Sequence, residues 1–259
     1  MSSVQVAAII PARMASSRFP GKPLLNVQGL PMVEHVRRRA LLCGRFSDVV
    51  VATCDREIEE AVRGYGGKVV MTSPKHPAAT DRVAEAARQF NCTHVVNIQG
   101  DEILVLPRDL ERMVRAIEEN PSAPAWNAVA PLEEGKELED PSVVKCVISS
   151  GGKIFFCSRN FSALGEKLGP GWEPVRRILG ILAYRRDFLD RYLTLPRTPL
   201  ETAESIDQSR ILEHDIPLLG IPFTRGYLGI NEPREVAVVQ GYLRDDPHQQ
   251  AVLQEMLAR

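Results

Sequence analysis

Residues 9–24 read IIPARMASSRFPGKPL. The apolar run VAAII at 6–10 has the unbroken hydrophobicity of a strand buried on both faces. It empties into a loop carrying Arg13, Arg18 and Lys22, with Ser16, Ser17 and Gly21 between them. The formal net charge of the whole chain is only −1, so this cationic density is local. Arginine offers a rigid fork to phosphate oxygens and lysine a mobile point charge, and a glycine-containing loop lets backbone N–H groups approach an anion. The loop is not a Walker A motif, which would need Gly at Ser16 and Ser or Thr at Pro23. No G-x-G-x-x-G follows any strand. From composition alone, a solvated basic loop stays open as the plainer reading.

Working outward, apolar strands and helical patterns alternate. A helix is expected at 31–43, a strand at 48–53, a helix at 56–67 ending on glycine and a short strand at 68–72. A helix at 80–90 is expected to take Thr80 as its cap. A strand at 94–102 and a helix at 107–120 follow, the latter with Leu110, Met113, Val114 and Ile117 on one stripe. This order predicts an α/β fold of Rossmann-like type, a mainly parallel sheet with helices on both faces. Ligands bind such sheets at the carboxyl ends of the strands. The cationic loop falls there, and so does Gln99-Gly100-Asp101-Glu102 after the strand at 94–98. An acidic pair there suits Mg²⁺ held on a polyphosphate, though in isolation it reads equally well as a turn or cap.

From about 122 the texture changes. Strands are expected at 126–132, 142–149, 153–159 and 178–184, with Gly151-Gly152 turning a hairpin and a loop at 160–177. Short helices are expected over RRDFLDRYLTL and at 200–215, and a helical tail at 232–244 and 246–258. A chain of 259 residues suits one large domain or a domain with an appendage. The expected division is 1–121 with 178–259 as an α/β domain and 122–177 as a small β-rich arm. The balanced charge gives no reason to expect nucleic acid or membrane as a partner. No apolar run reaches membrane-spanning length, so a soluble cytoplasmic protein is expected. Cys43, Cys54, Cys92, Cys146 and Cys157 form no C-x-x-C and read as reduced thiols. His35 and His94 read as structural or solvated. Trp126 and Trp172 fit the arm, a dimer surface or an acceptor loop equally.

The run P-A-R-M-A-S-S-R-F-P-G-K-P-L resembles the nucleotide-binding signature of the CMP-Kdo synthetases (3-deoxy-manno-octulosonate cytidylyltransferases) and related acid-sugar cytidylyltransferases. The resemblance continues through GLPMVEHV, GGKVVMTSPKHPAATDRVAEA, VVNIQGDE, DPSVVKCV, FFCSR, LGILAYRRDFL and PLETAESIDQSRIL, covering most of 5–236. It implies transfer of CMP from CTP to an acidic acceptor, a 2-keto-3-deoxy sugar acid such as Kdo or a related acid or phosphonate, with release of pyrophosphate. By resemblance, Arg13, Ser16, Arg18 and Lys22 hold the triphosphate, and His76 through Arg82, including Thr80, surround the cytosine. Gln99 and Asp101 stand at the reaction centre, and Lys22, Asp101 and Arg13 carry catalysis. Arg159, Tyr184, Glu204 and Gln208 line the acceptor pocket. Mg²⁺ is the implied cofactor, on Asp101 and Asn231, and the arm implies a homodimer.

The chain departs from the family pattern mainly on the acceptor side. Asn231 stands where a metal-binding Asp is usual, Ile178 where a His precedes the L-G-I strand, and Ile103 where Pro follows QGDE. Ala78-Ala79 replace S-G, and Cys54 stands at a usual Asp. These changes fit a changed acceptor or tolerated variation around Kdo. A CTP-binding regulatory protein that has lost catalysis is the alternative from another class.

Overall fold

A computed structural model describes residues 4–15, 18–163 and 174–258. It divides into two compact units, 1–115 with 227–259, and 116–226.

In the first unit, β1 (Val6–Pro11) is buried along its whole length, as its unbroken apolar run requires. The loop after it leads to a two-residue hairpin, β2 (Asn26–Val27) and β3 (Leu30–Pro31), turned by Gln28 and Gly29 at positive φ. Helix α1 (Met32–Cys43) follows and stops on Gly44, whose φ of 65° is the left-handed cap. Strand β4 (Asp48–Thr53), α2 (Arg56–Gly64), β5 (Lys68–Met71), α3 (Ala79–Ala87) and β6 (His94–Ile98) complete the alternation. The strands pair in parallel in the order β6-β1-β4-β5, Ile9 lying opposite Val50 on one side and Asn97 on the other. Helix α4 (Pro107–Glu119) buries the expected stripe of Leu110, Met113, Val114 and Ile117. Thr80 is not the cap of α3. It lies buried inside the helix, and Asp81 reaches back to the Ala78 N–H at 3.2 Å.

The second unit is built on β7 (Ala125–Ala130), β8 (Lys145–Ile148), β9 (Ile154–Ser158), β10 (Val175–Arg185) and β11 (Leu218–Pro222). They pair in the order β11-β7-β10-β8-β9, with β11 parallel to β7 and the other pairs antiparallel. The 151–152 hairpin is present, with Gly152 at φ 79°. Helices α5 (Arg186–Tyr192), α6 (Pro199–Glu204) and α7 (Asp207–Glu213) accompany the sheet. The single helix expected at 200–215 is two. Ser205 adopts φ 54°, and the Glu213 carboxylate folds back to accept the amides of Leu200 and Glu201 at the start of α6. The unit is also larger than the expected arm of 122–177, because β10 and β11 pair with β7.

The chain returns to the first unit through α8 (Glu235–Asp245) and α9 (Pro247–Leu257). Asp246 separates them, its carboxylate accepting the His248 and Gln249 amides ahead of Pro247 at the first helical position. Ile230, Val239 and Leu243 pack with Val27, Met32, Ile103 and Leu104, which ties the C-terminal segment to the two loops singled out from sequence. Among the described residues, no helix is long and apolar enough to cross a membrane.

Candidate active site

Adjacent parallel strands β1 and β6 deliver their following loops to the same edge of the sheet. The loop after β1 is folded by backbone contacts. Gly21, at φ 76°, donates its N–H to the Met14 carbonyl at 3.0 Å. The Met14 N–H in turn donates to Asp55 Oδ2 at 2.8 Å. Asp55 lies just past the carboxyl end of β4, so a neighbouring strand pins the loop. Cys54, at the position where an Asp is usual in the family pattern, lies beside this carboxylate with Sγ 3.7 Å from Oδ2.

This folding carries Lys22 across to the loop after β6. Its ammonium donates to Asp101 Oδ2 and to the Ile230 carbonyl, each at 3.0 Å, and both ionic side chains are largely shielded from water. Arg18 Nη2 donates to Asn231 Oδ1 at 3.1 Å. The 229–232 segment that supplies these acceptors is held by Glu235, whose Oε2 accepts the amides of Asn231 and of Glu232, the latter at 2.7 Å. The approach is close enough to demand glycine at one position. A Cβ on Gly229 would lie 2.6 Å from the Asp101 carbonyl oxygen.

The start of α3 supplies a second group. Glu85 Oε2 accepts the Ser73 N–H at 2.9 Å and meets His76 Nε2. The Ser73 amide first, and then the His76 ring, hold the Glu85 carboxyl below the usual carboxylate range. Arg82 donates to the Thr72 hydroxyl, which donates onward to the Thr53 carbonyl at 3.1 Å. A cleft of about 280 Å³ opens among these groups. Of the residues expected from sequence, Arg13, Arg18, Lys22, His76, Arg82, Gln99 and Asp101 line it. Thr80 does not, being buried within α3 while Ala79 and Arg82 face the cleft. Ser16 lies outside the described residues, as do Ser17 and Trp172.

The expected acceptor residues lie in the second unit and are tied to one another there. The Arg159 guanidinium donates to the carbonyls of Glu204 at 2.7 Å, Pro141 at 2.8 Å and Ser205 at 3.3 Å. Glu204 accepts the Ser158 hydroxyl at 3.1 Å and the Arg159 N–H at 3.0 Å. In this state Arg159 and Glu204 brace the start of the 159–163 segment against the Ser205 break. Gln208 Nε2 donates to Asn127 Oδ1 at 2.8 Å, and Asn127 donates to the Leu179 carbonyl at 3.0 Å, a buried polar chain. Tyr184 is buried against the Phe188 and Tyr192 rings, with centroids 6.4 and 6.0 Å away. Ile178 is half-buried in β10 and donates its N–H to the Val144 carbonyl at 2.9 Å.

Asp55, Glu85, Glu235 and Gly229 were not foreseen. Each acts through the backbone or through another side chain, and only Asp55, directly after a strand's carboxyl end, had a position that could have marked it.

A cleft at the carboxyl ends of a parallel sheet, cationic and tipped with one carboxylate, defines a nucleotide-handling α/β protein. A family model described as Cytidylyltransferase matches residues 7–218. The chain is 42% identical over 247 residues to the 3-deoxy-manno-octulosonate cytidylyltransferase of Myxococcus xanthus (strain DK1622), an overlap covering 94% of this chain and 98% of that one. It is 39% identical over 215 residues to the 8-amino-3,8-dideoxy-manno-octulosonate cytidylyltransferase of Shewanella piezotolerans (strain WP3 / JCM 13877), covering 82% and 87%. A solved structure of CMP:2-keto-3-deoxy-manno-octonic acid synthetase complexed with CTP aligns at a TM-score of 0.85 and 33% identity, covering 92% of this chain and 98% of that one. The chain belongs to the cytidylyltransferase family and is a nucleotidyltransferase.

Proposed function

We propose that this enzyme transfers CMP from CTP to a 2-keto-3-deoxy sugar acid, releasing pyrophosphate. The observation that carries the reading is the meeting of Lys22, Asp101 and the Ile230 carbonyl at the mouth of the cleft, with Arg18 on the adjacent Asn231. Support for the acceptor class comes from the relatives, whose names specify octulosonates that differ at carbon 8.

The chemistry needs no covalent enzyme intermediate. An acceptor hydroxyl oxygen bonds to the α-phosphorus, the bond from that phosphorus to the bridging oxygen breaks, and the hydroxyl proton passes to water. Charge builds on the departing pyrophosphate. Lys22, Arg18 and Arg13 are the cations that stabilise it, Lys22 partly shielded from water and the two arginines exposed. On binding, Lys22 exchanges its present partners for phosphate oxygens, which frees Asp101.

The donor set at this point suits Mg²⁺. Asp101 and the Asn231 amide are hard oxygen donors, and one carboxylate leaves most of the coordination shell for phosphate and water. Bound there, the metal would supply charge neutralisation at the phosphates. A neutral Asn231 makes this a weaker site than two carboxylates would, so half-saturation at elevated Mg²⁺ is expected.

We place the enzyme in the cytoplasm as a homodimer. Among the described residues the cysteines form no disulfide, which is consistent with a reducing compartment. Phe155, 63% exposed on β9, is the kind of side chain a second copy would cover. The test is pyrophosphate release from CTP and Mg²⁺ with 3-deoxy-manno-octulosonate, its 8-amino-3,8-dideoxy form and a panel of other 2-keto acids. Release with one of the octulosonates is expected, and absence of release with every acid sinks the reading.

A further inference from the structure

Asp101 stands in a stretch of chain with no ladder of its own. After β6 the backbone runs through 99–106 without helix or strand until α4 begins. Within this loop the Glu102 N–H donates to the Gln99 carbonyl at 3.0 Å, the Ile103 N–H to the Asp101 carbonyl at 2.8 Å and the Val105 N–H to the Glu102 carbonyl at 3.2 Å. Leu104 and Val105 are buried, at 1% and 5% exposure. Buried backbone carbonyls outside a ladder need donors from elsewhere. Two side chains provide them. Gln249 of α9 donates from Nε2 to the Leu104 carbonyl at 2.8 Å, and Arg39 of α1 donates from Nη1 to the Val105 carbonyl at 3.1 Å.

Both side chains are fully buried. Among the described residues, these are the only side-chain hydrogen bonds that either makes. The other edge of the guanidinium, Nε and Nη2, and Gln249 Oε1 are buried without a hydrogen-bond partner. Burial lowers the Arg39 pKa from 12.5 to about 9, with Tyr227 opposing, so the group is still a cation at neutral pH. A buried charge held by one neutral carbonyl weakens a fold, and an apolar side chain of similar volume commonly serves stability as well or better. What Arg39 does supply is a fixed point on the Asp101 loop. Its helix is in turn fixed to the cationic loop, because the N–H of Met32, the first residue of α1, donates to the Leu25 carbonyl at 2.9 Å. We propose that Arg39 and Gln249 are positioning residues, which hold the 101–105 backbone by two adjacent carbonyls and so set where the Asp101 carboxylate meets the metal. This rests on the reading of Asp101 as a Mg²⁺ ligand and extends it to the side chains behind the loop.

The experiment compares the wild type with Arg39→Met, Arg39→Lys and Gln249→Met. It reads amide hydrogen exchange at Ile103 and Val105 in the metal-free protein, CTP affinity by calorimetry with and without Mg²⁺, and the Mg²⁺ concentration that half-saturates pyrophosphate release. In both Met variants the two amides should exchange faster. The Mg²⁺ half-saturation should rise roughly tenfold, as loss of a group that orients a metal ligand commonly brings about. CTP affinity without Mg²⁺ should stay within about twofold of wild type. The Tm of Arg39→Met should stay within about 4 °C of wild type, because removal of the buried charge offsets the carbonyl left unpaired. Arg39→Lys keeps a donor for that carbonyl and should recover most of the Mg²⁺ half-saturation. A role in stability alone gives the reverse pattern, a lowered Tm with Mg²⁺ half-saturation unchanged, and that result overturns the proposal. Wild-type exchange and wild-type Mg²⁺ half-saturation in Gln249→Met, the uncharged and milder change, overturn it as well, whether or not Arg39→Met folds. A wild-type enzyme whose turnover is indifferent to Mg²⁺ would remove the metal reading, and amide exchange alone would then decide whether these side chains fix the loop.

Discussion

Gly229→Ala adds one methyl group at the tightest approach in the site. The new Cβ would lie 2.6 Å from the Asp101 carbonyl oxygen and 3.3 Å from its carbonyl carbon, where 3.4 Å begins ordinary contact. Both atoms are backbone, so no flexible side chain can swing away. Gly229 does not sit at positive φ, so the penalty is steric and not conformational. Relief requires the 229–232 segment and the Asp101 peptide to part by several tenths of an ångström. Lys22 spans this junction, with 3.0 Å bonds to Asp101 and to Ile230. Overpacking of this kind costs about 1–3 kcal/mol, which lowers Tm by roughly 2–10 °C in a chain of this size. A displacement approaching 1 Å at reacting groups costs up to about 100-fold in rate. We therefore expect kcat/KM for CTP to fall by roughly tenfold or more, measured by pyrophosphate release beside a thermal melt. Gly241→Ala is the control. It lies within α8 with nothing within 4 Å of its added Cβ, and should raise stability by about 0.5–1 kcal/mol with activity unchanged. If Gly229→Ala kept kcat/KM within twofold of wild type, the claim that this junction sets the position of Asp101 would be wrong.

Three further outcomes are expected. Asp101→Asn should remove pyrophosphate release by roughly 100-fold or more while calorimetry shows CTP binding largely retained; near-full turnover would refute its assignment to the metal. Glu235→Gln weakens the acceptor of the Asn231 and Glu232 amides, and should raise KM for CTP more than it lowers kcat. An equal loss in both parameters would point to a role in the chemical step instead. His35 is buried, and burial lowers its pKa from 6.5 to about 4, with Arg39 and Arg38 adding to the effect and the Val27 carbonyl opposing it. The folded state thus binds fewer protons than the unfolded chain between those values. This contribution to stability is complete above pH 6.5 and is lost as the pH falls toward 4, up to about 3 kcal/mol. In His35→Gln, urea midpoints at neutral and acid pH should differ by less than in the wild type, and an unchanged difference would show that other groups carry the acid sensitivity.

The parts of this molecule legible in its sequence are those set by local pattern. VAAII reads as a doubly buried strand because a parallel sheet is covered on both faces, which leaves no polar face to encode. The element order then places IIPARMASSRFPGKPL and QGDE at the same end of the sheet without any knowledge of tertiary contacts. Where pairing partners lie far apart in the chain, the same reasoning stops short. The second unit extends to 226 because β10 and β11 pair with β7, and nothing local in GILAY or LLGIP says which strand they join. The helix at 200–215 breaks at Ser205 because a carboxylate at Glu213 captures the amides of Leu200 and Glu201; no glycine or proline marks the break.

The same division runs through the site, and it explains why Arg159 differs from Arg18. Both are arginines in loops that the family resemblance marks for anions. Arg18 has one side-chain partner among the described residues, the neutral Asn231 amide, which a phosphate can displace at little cost. Arg159 gives three of its five N–H donors to carbonyls of two separate segments, so an anion meets a fork already partly engaged. Residue type states what a side chain is able to bind, whereas its occupancy by the fold decides whether it is available. The carboxylates Asp55, Glu85 and Glu235 spend their oxygens on backbone amides and the His76 imidazole, whereas Lys22 is held by Asp101 and the Ile230 carbonyl until a phosphate replaces them. On that argument, an acceptor carboxylate meets Arg159 first through its two remaining N–H donors, and a full grip by the fork requires release of the Glu204 or Ser205 carbonyl, for which a carboxylate has the charge to compete.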